Sequence, residues 1–162
     1  MKTLILGLGN PILGDDGVGW VVADKIRTVL SDPKADIADP QAVEVDTASL
    51  GGLSLMERLT DAERVILVDA IFTAKKPVGT VSKFTLSELP DLSAGHSASA
   101  HDTSLRNALN VGRSMDIPLP EDENVFIVAI EAKNVYDFSQ ELSPAVAEAV
   151  PQAVKAVIDL IN

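Results

Sequence analysis

The chain has 162 residues, which suits a single domain spanning 1–162, and 46% of them are hydrophobic, so a sizeable core is available. Acidic residues outnumber basic ones 24 to 13, a net charge of -11, and the nearest thing to a basic cluster is Lys75-Lys76. Nucleic acid and anionic membranes are thereby poor partners, while a cationic partner such as a metal ion fits. There is no cysteine, which excludes disulfides, thiolate metal sites and cysteine nucleophiles. The apolar run Leu4-Ile5-Leu6 is cut short by Gly9-Asn10-Pro11. It is too short for a signal peptide or a membrane span, and the expected location is cytoplasmic.

Aromatic residues are only 4% of the chain, so the core must be built from Val, Leu, Ile and Ala, a composition suited to parallel strands covered on both faces. Thr3 to Leu8 reads as a buried strand, and Gly9 to Asp16 as a loop. From Gly17 the spacing becomes helical, with Val18, Val22, Ile26 and Val29 on one face to about Leu30. Ala42 to Asp46 reads as a second strand. Leu50, Leu53, Leu55 and Leu59 mark a second helix with Ser49 as its cap. Arg64 to Asp69 is the clearest strand. Gly79 to Leu86 alternates apolar and polar residues, as an antiparallel edge strand does. Ser87 to Ala100 reads as loop, and Ser99-Ala100-His101-Asp102 as a capping box opening a helix that carries Leu105, Leu109 and Val111. Asn124 to Ile130 is a further apolar strand. Ser143-Pro144 opens a last helix, within which Pro151 should produce a kink or a break. The alternation predicts an α/β fold, a three-layer α/β/α sandwich around a mostly parallel sheet.

In open α/β sheets, ligands bind beyond the carboxyl ends of the strands where strand order reverses. Here those ends are acidic: the first strand leads to Asp15 and Asp16, the second ends in Asp46, the third in Asp69. A sheet order with the first strand between the second and third brings these carboxylates together, and His101 opens a later helix that can face the same crevice. Each residue also has a plainer role. Asp15 or Asp16 can cap the first helix, Asp46 and Asp69 can form turns, and His101 can be a surface residue at a helix end. Together they amount to more, because like charges gathered at strand ends cost stability unless a cation or hydrogen bonds compensate. Two carboxylates and one imidazole with open positions suit a borderline divalent metal such as nickel or zinc. His96 is an alternative ligand, though its Gly/Ser-rich surroundings favour a loop role. The chain has no Gly-x-Ser-x-Gly elbow, no His-Glu-x-x-His helix and no spaced Gly-x-Gly-x-x-Gly fingerprint.

The stretch Gly7-Leu8-Gly9-Asn10-Pro11-Ile12-Leu13-Gly14-Asp15-Asp16-Gly17-Val18-Gly19 resembles the N-terminal signature of the [NiFe]-hydrogenase maturation endopeptidases. Asp46-Thr47, Val68-Asp69-Ala70, Ser99-Ala100-His101 and Leu142-Ser143-Pro144 follow in family order, so the resemblance spans nearly the whole chain. It implies a twisted five-stranded sheet between helices and a protease that removes the C-terminal extension of a nickel-loaded large-subunit precursor. The family's metal-binding positions, a carboxylate in the first loop, an Asp after the third strand and a His opening a later helix, fall on Asp16, Asp69 and His101. The same three are the candidate catalytic residues, and Asp46 is a candidate for supporting them from behind. The metal implied is nickel carried by the substrate, with zinc or cadmium as surrogates, and no permanently bound ion. The chain departs from the family at Ala129-Ile130-Glu131-Ala132, where members often carry Gly-Val/Ile-Glu/Gln-Pro.

Three other functions compete. Peptidyl-tRNA hydrolase also begins with a strand into Gly-Leu-Gly-Asn-Pro, but here no His precedes His96, and the net charge of -11 opposes tRNA. A hydrolase with its own resident metal would use the same residues, and so would a non-catalytic nickel-binding chaperone of the same fold.

Overall fold

The computed structural model describes residues 2–88 and 100–162, with the backbone alone for 100–104. Five strands form one sheet: β1 (Thr3–Leu8), β2 (Val43–Ala48), β3 (Arg64–Ile71), β4 (Val81–Thr85) and β5 (Val125–Glu131). Their order is β2-β1-β3-β5-β4, parallel except for β4, which pairs antiparallel with β5 at the edge. Among the described residues there are four α-helices: α1 (Val18–Leu30), α2 (Gly52–Arg58), α3 (Ala100–Ser114) and α4 (Pro144–Ile161).

Alternation along the central strands sorts the core into two halves, as the period-two geometry of a strand requires. Leu4, Leu6 and Leu8 of β1, Val65 and Leu67 of β3, and Ile127 of β5 pack with Leu55 of α2 and Leu105 and Leu109 of α3. On the other face Ile5, Ile66, Val68, Val128 and Ile130 pack with Val18, Val22 and Ile26 of α1 and Val146, Val150 and Val157 of α4. This is the predicted three-layer α/β/α sandwich, and the sheet has five strands. No helix among the described residues is long and apolar enough to cross a membrane.

The structure differs from the sequence reading at several element ends. β2 and β3 each run two residues past the aspartate expected to close them, because β1 continues to pair with β2 through Leu8↔Ala48 and β5 with β3 through Ile71↔Glu131. α2 starts at Gly52 with Gly51 at its cap position, and Ser49 instead donates its hydroxyl to the Gly9 carbonyl. Pro151 does not split α4, which runs unbroken to Ile161. Pro151 lies on the exposed side, and so does Ala147, whose carbonyl loses its helical partner and can be hydrated instead. The loop predicted from Ser87 begins with a turn of 3-10 helix at Leu86–Glu88. The rest of that loop, with His96 and the Ser99 cap, lies outside the described residues.

Two glycines set how closely α1 approaches the sheet. A Cβ on Gly19 would overlap the carbonyls of Val68 and Leu8, and one on Gly7 would overlap the Gly19 carbonyl. The start of α1 therefore lies backbone-to-backbone on β1 and β3. Gly19→Ala must force these layers apart, and we expect a loss of about 1–3 kcal/mol, the usual cost of overpacking. A lowered urea midpoint with an unchanged slope checks it.

Candidate active site at the carboxyl edge of the sheet

β1 lies between β2 and β3, so the chain leaves the middle of the sheet in opposite directions on either side of it. That is the switch point where a crevice forms beyond the strand ends. The loop after β1 fills part of it. Asn10 starts a tight turn, accepting the Ile12 N–H on its side chain and the Leu13 N–H on its carbonyl. A 3-10 turn at Gly14–Gly17 then leads into α1. Gly9, at φ +128°, is required here, since a Cβ would overlap the Asp16 carbonyl.

Asp16 is half-buried, and its Oδ2 accepts the Asn10 N–H at 2.8 Å. It lines a cavity of about 190 Å³ with Gly9, Asn10, Ser49, Leu50 and Gly51. Asp69 is 1% exposed and lies opposite Ala129 in the β3–β5 pairing, on the α2/α3 face by alternation with Val65 and Leu67. His101 is the second residue of α3. The chain after α3 is bonded to the chain before β3, with Asp61 N–H donating to the Pro118 carbonyl at 2.9 Å. The Arg113 guanidinium reaches Asp122, just ahead of β5, at 2.8 Å. The C-terminus of α3 is thus held at the amino edge of the sheet, and its Leu105 and Leu109 pack on the face that carries Asp69.

Asp46 has a different setting. It lies two residues inside β2, and its carboxylate is engaged by Arg58 of α2, at 3.2 Å from Nε and 2.8 Å from Nη2. It also accepts the Thr47 N–H at 2.8 Å. Arg58 first, and the Thr47 N–H second, hold the Asp46 carboxyl below its ordinary range. Asp46 thereby ties the edge strand to α2.

Two buried carboxylates, Asp15 and Glu131, have partners that the sequence reading did not foresee. Asp15 does not cap α1 with its side chain. At 0% exposure it accepts the N–H groups of Lys133 (2.9 Å), Asn134 (2.9 Å) and Ser143 (2.6 Å), together with the Ser143 hydroxyl (2.8 Å). Burial pushes its carboxyl up, but the hydrogen bonds from Asn134, Ser143 and Lys133 outweigh this and hold it below the usual value. Ser143, the residue before α4, is itself drawn into this cluster. Glu131, 1% exposed, accepts the Thr73 N–H at 2.9 Å and the Thr73 hydroxyl, fixing the turn that follows β3. The partners of both lie 58 or more residues away in sequence, and no local motif signals such contacts.

Residues 28–160 match a family model described as HycI: Hydrogenase maturation protease. Over 160 residues the chain is 30% identical to a protein of Methanocaldococcus jannaschii assigned to the hydrogenase maturation proteases, covering 98% of this chain and 92% of that one. It is 27% identical over 115 residues to the hydrogenase 2 maturation protease of Escherichia coli, covering 70% of this chain and 64% of that one. The fold is similar to that of the hydrogenase maturating endopeptidase HybD from E. coli, with a TM-score of 0.77 at 22% identity over 99% of this chain and 91% of that one. For the HybD maturation protease of Thermococcus kodakarensis the TM-score is 0.71 at 24% identity, over all of both chains.

Asp15→Asn keeps the shape but turns one acceptor oxygen into a donor facing N–H groups. We expect a loss of about 1–3 kcal/mol at neutral pH, the cost of a broken buried hydrogen bond. Because the folded-state value lies below the unfolded one, the stabilisation from Asp15 is complete above the ordinary carboxylate value and disappears as pH falls through the folded one. Denaturation across acid pH should show a loss in the native protein that is smaller in Asp15→Asn.

Proposed function

Because the chain belongs to the hydrogenase maturation protease family, an endopeptidase family that processes hydrogenases, we propose that it removes the C-terminal extension of a nickel-loaded [NiFe]-hydrogenase large-subunit precursor. In this reading Asp16, Asp69 and His101 recognise the nickel, which arrives as part of the substrate. The observation that carries it is the sheet order. β1 lies between β2 and β3, Asp16 follows β1 in the loop that leads to α1, and Asp69 stands near the carboxyl end of β3, while His101 is the second residue of α3.

The donor set fits the task. Two carboxylates and an imidazole leave positions open on a borderline divalent ion, so a metal already held by the precursor can gain ligands without leaving it. Zinc or cadmium can stand in for nickel in such a set. Grasping the ion brings the tail of the precursor to the cleft, and the substrate's nickel polarises the scissile carbonyl or activates a water. Asp16 is already oriented by the Asn10 N–H, which fixes one carboxylate oxygen before substrate arrives. In this reading the processing takes place in the cytoplasm.

Asp16→Asn and His101→Ala should each abolish processing, a loss of at least 100-fold, while thermal unfolding stays within a few degrees of the parent. Asp69→Ala should lose activity to the same degree and also some stability, since Asp69 is buried in the sheet. The assay is mass analysis of the precursor, with and without nickel, after incubation with each variant. Equal cleavage of nickel-free precursor, or a stoichiometric metal in the purified enzyme, would replace this reading with a hydrolase that uses its own ion.

A further inference from the structure

The sequence holds one Trp, one Tyr and four Phe, so an exposed aromatic ring is a rarity worth locating. Tyr136 is 81% and Phe138 85% exposed, the most exposed large hydrophobic side chains among the described residues. Phe72, 55% exposed, follows β3. All three lie on loops at the carboxyl edge of the sheet, where the candidate site is. Phe84 and Phe126, in the strands, are partly buried, and so is Trp20 in α1.

Tyr136 and Phe138 are not on a loose tail. Their segment, from Lys133 to Ser143, is held at both ends by the Asp15 carboxylate. Between those ends the Asn134 side chain accepts the Asp137 N–H. Ser139 donates to the Ile12 carbonyl at 2.9 Å and accepts from Gly14 N–H at 2.7 Å. The same bonds lock the segment to the loop that carries Asp16, and they bring Ile12, itself 45% exposed, beside it. Two rings are thus presented to solvent on a backbone that is already ordered, which is how a rigid aromatic anchor is built. A groove of about 230 Å³, lined by Pro11, Ile12, Trp20 and Leu142 together with Asp24 and Gln140, continues from this crest.

We propose that the crest of Tyr136, Phe138 and Ile12, with the adjoining groove, is the surface on which the folded body of the precursor docks, separate from the cleft that reads its metal. The proposal rests on the function argued above. Size and charge select this occupant. Two exposed rings and part of an isoleucine offer on the order of 400 Å² of apolar area, about half of one partner's share in a specific complex and far below that of a permanent dimer. That fits an encounter that must end after each cleavage. A second copy would bring another net charge of -11 against the first, and an anionic membrane would be repelled likewise.

The test compares the native enzyme with the double variant Tyr136→Ser/Phe138→Ser, using nickel-loaded precursor over a range of concentrations. The rings are exposed, so the fold should stand, and circular dichroism and thermal unfolding verify that. The expected result is a KM raised at least tenfold with kcat within twofold of the parent, and recovery of KM in Tyr136→Phe/Phe138→Tyr. Native cleavage with an unchanged KM in the double variant overturns the docking surface while leaving the proposed activity standing. Absence of cleavage by the native enzyme overturns that activity and this inference with it. Sedimentation of the native enzyme as a dimer that the double variant dissolves would assign the crest to a second copy and overturn the proposal.

Discussion

The structure at the carboxyl edge depends on one buried anion. The carboxylate of Asp15 gathers three backbone N–H groups and a hydroxyl from a segment more than 110 residues downstream. A charge removed from water is tolerable only when its hydrogen-bonding capacity is filled, and here four donors do so. The return is geometric. Loop backbone cannot pair within itself as a helix does, and it must find partners elsewhere when buried. Asp15 supplies them for Lys133, Asn134 and Ser143 together, and its own N–H completes the arrangement by donating to the Asn134 carbonyl at 2.7 Å. The first loop and the chain leading into α4 become one unit, with the neighbouring Asp16 left to face the cleft.

The division of labour between neighbours follows from this. Asp15 faces protein donors and Asp16 faces a cavity, although the two are adjacent and chemically identical. The 3-10 turn makes the difference, because successive residues there diverge widely in direction. Asp46 and Glu131 show the same economy at the flanks. One carboxylate ties β2 to α2, and the other ties the turn after β3 to the end of β5. Of the acidic residues near the strand ends, Asp15, Asp46 and Glu131 hold the scaffold, while Asp16 lines the cavity at the switch point.

Much of the fold was legible from the sequence, for reasons that differ by element. β1, β3 and β5 are uninterrupted apolar runs, and α1 and α4 keep a helical stripe, so period alone identified them. β4 was recognisable as an edge strand by its alternation. Boundaries were less legible: the ends of β2 and β3 are set by partners across the sheet, which a linear pattern does not contain. The place of β1 between β2 and β3, expected from common doubly wound orders, is the one observed. The roles of Asp15, Ser143 and Glu131 were not legible, because each is defined by a contact with remote chain. Helix-capping rules offered Asp15 a local role at the start of α1, and in the folded molecule it bonds Ser143 instead.

The two borders of the sheet bear on how a peptide can be handled. β2 carries Glu44 and Asp46, both drawn to Arg58, and β4 is a five-residue strand with Lys83 turned to solvent. Ionic side chains and short length are the means by which proteins keep an open ladder from recruiting further strands. A polypeptide awaiting cleavage therefore gains little from lying alongside this sheet as a sixth strand. In the proposed activity its backbone is gripped end-on above the strand tips, and the sequence beside the severed bond is left largely unread by main-chain pairing.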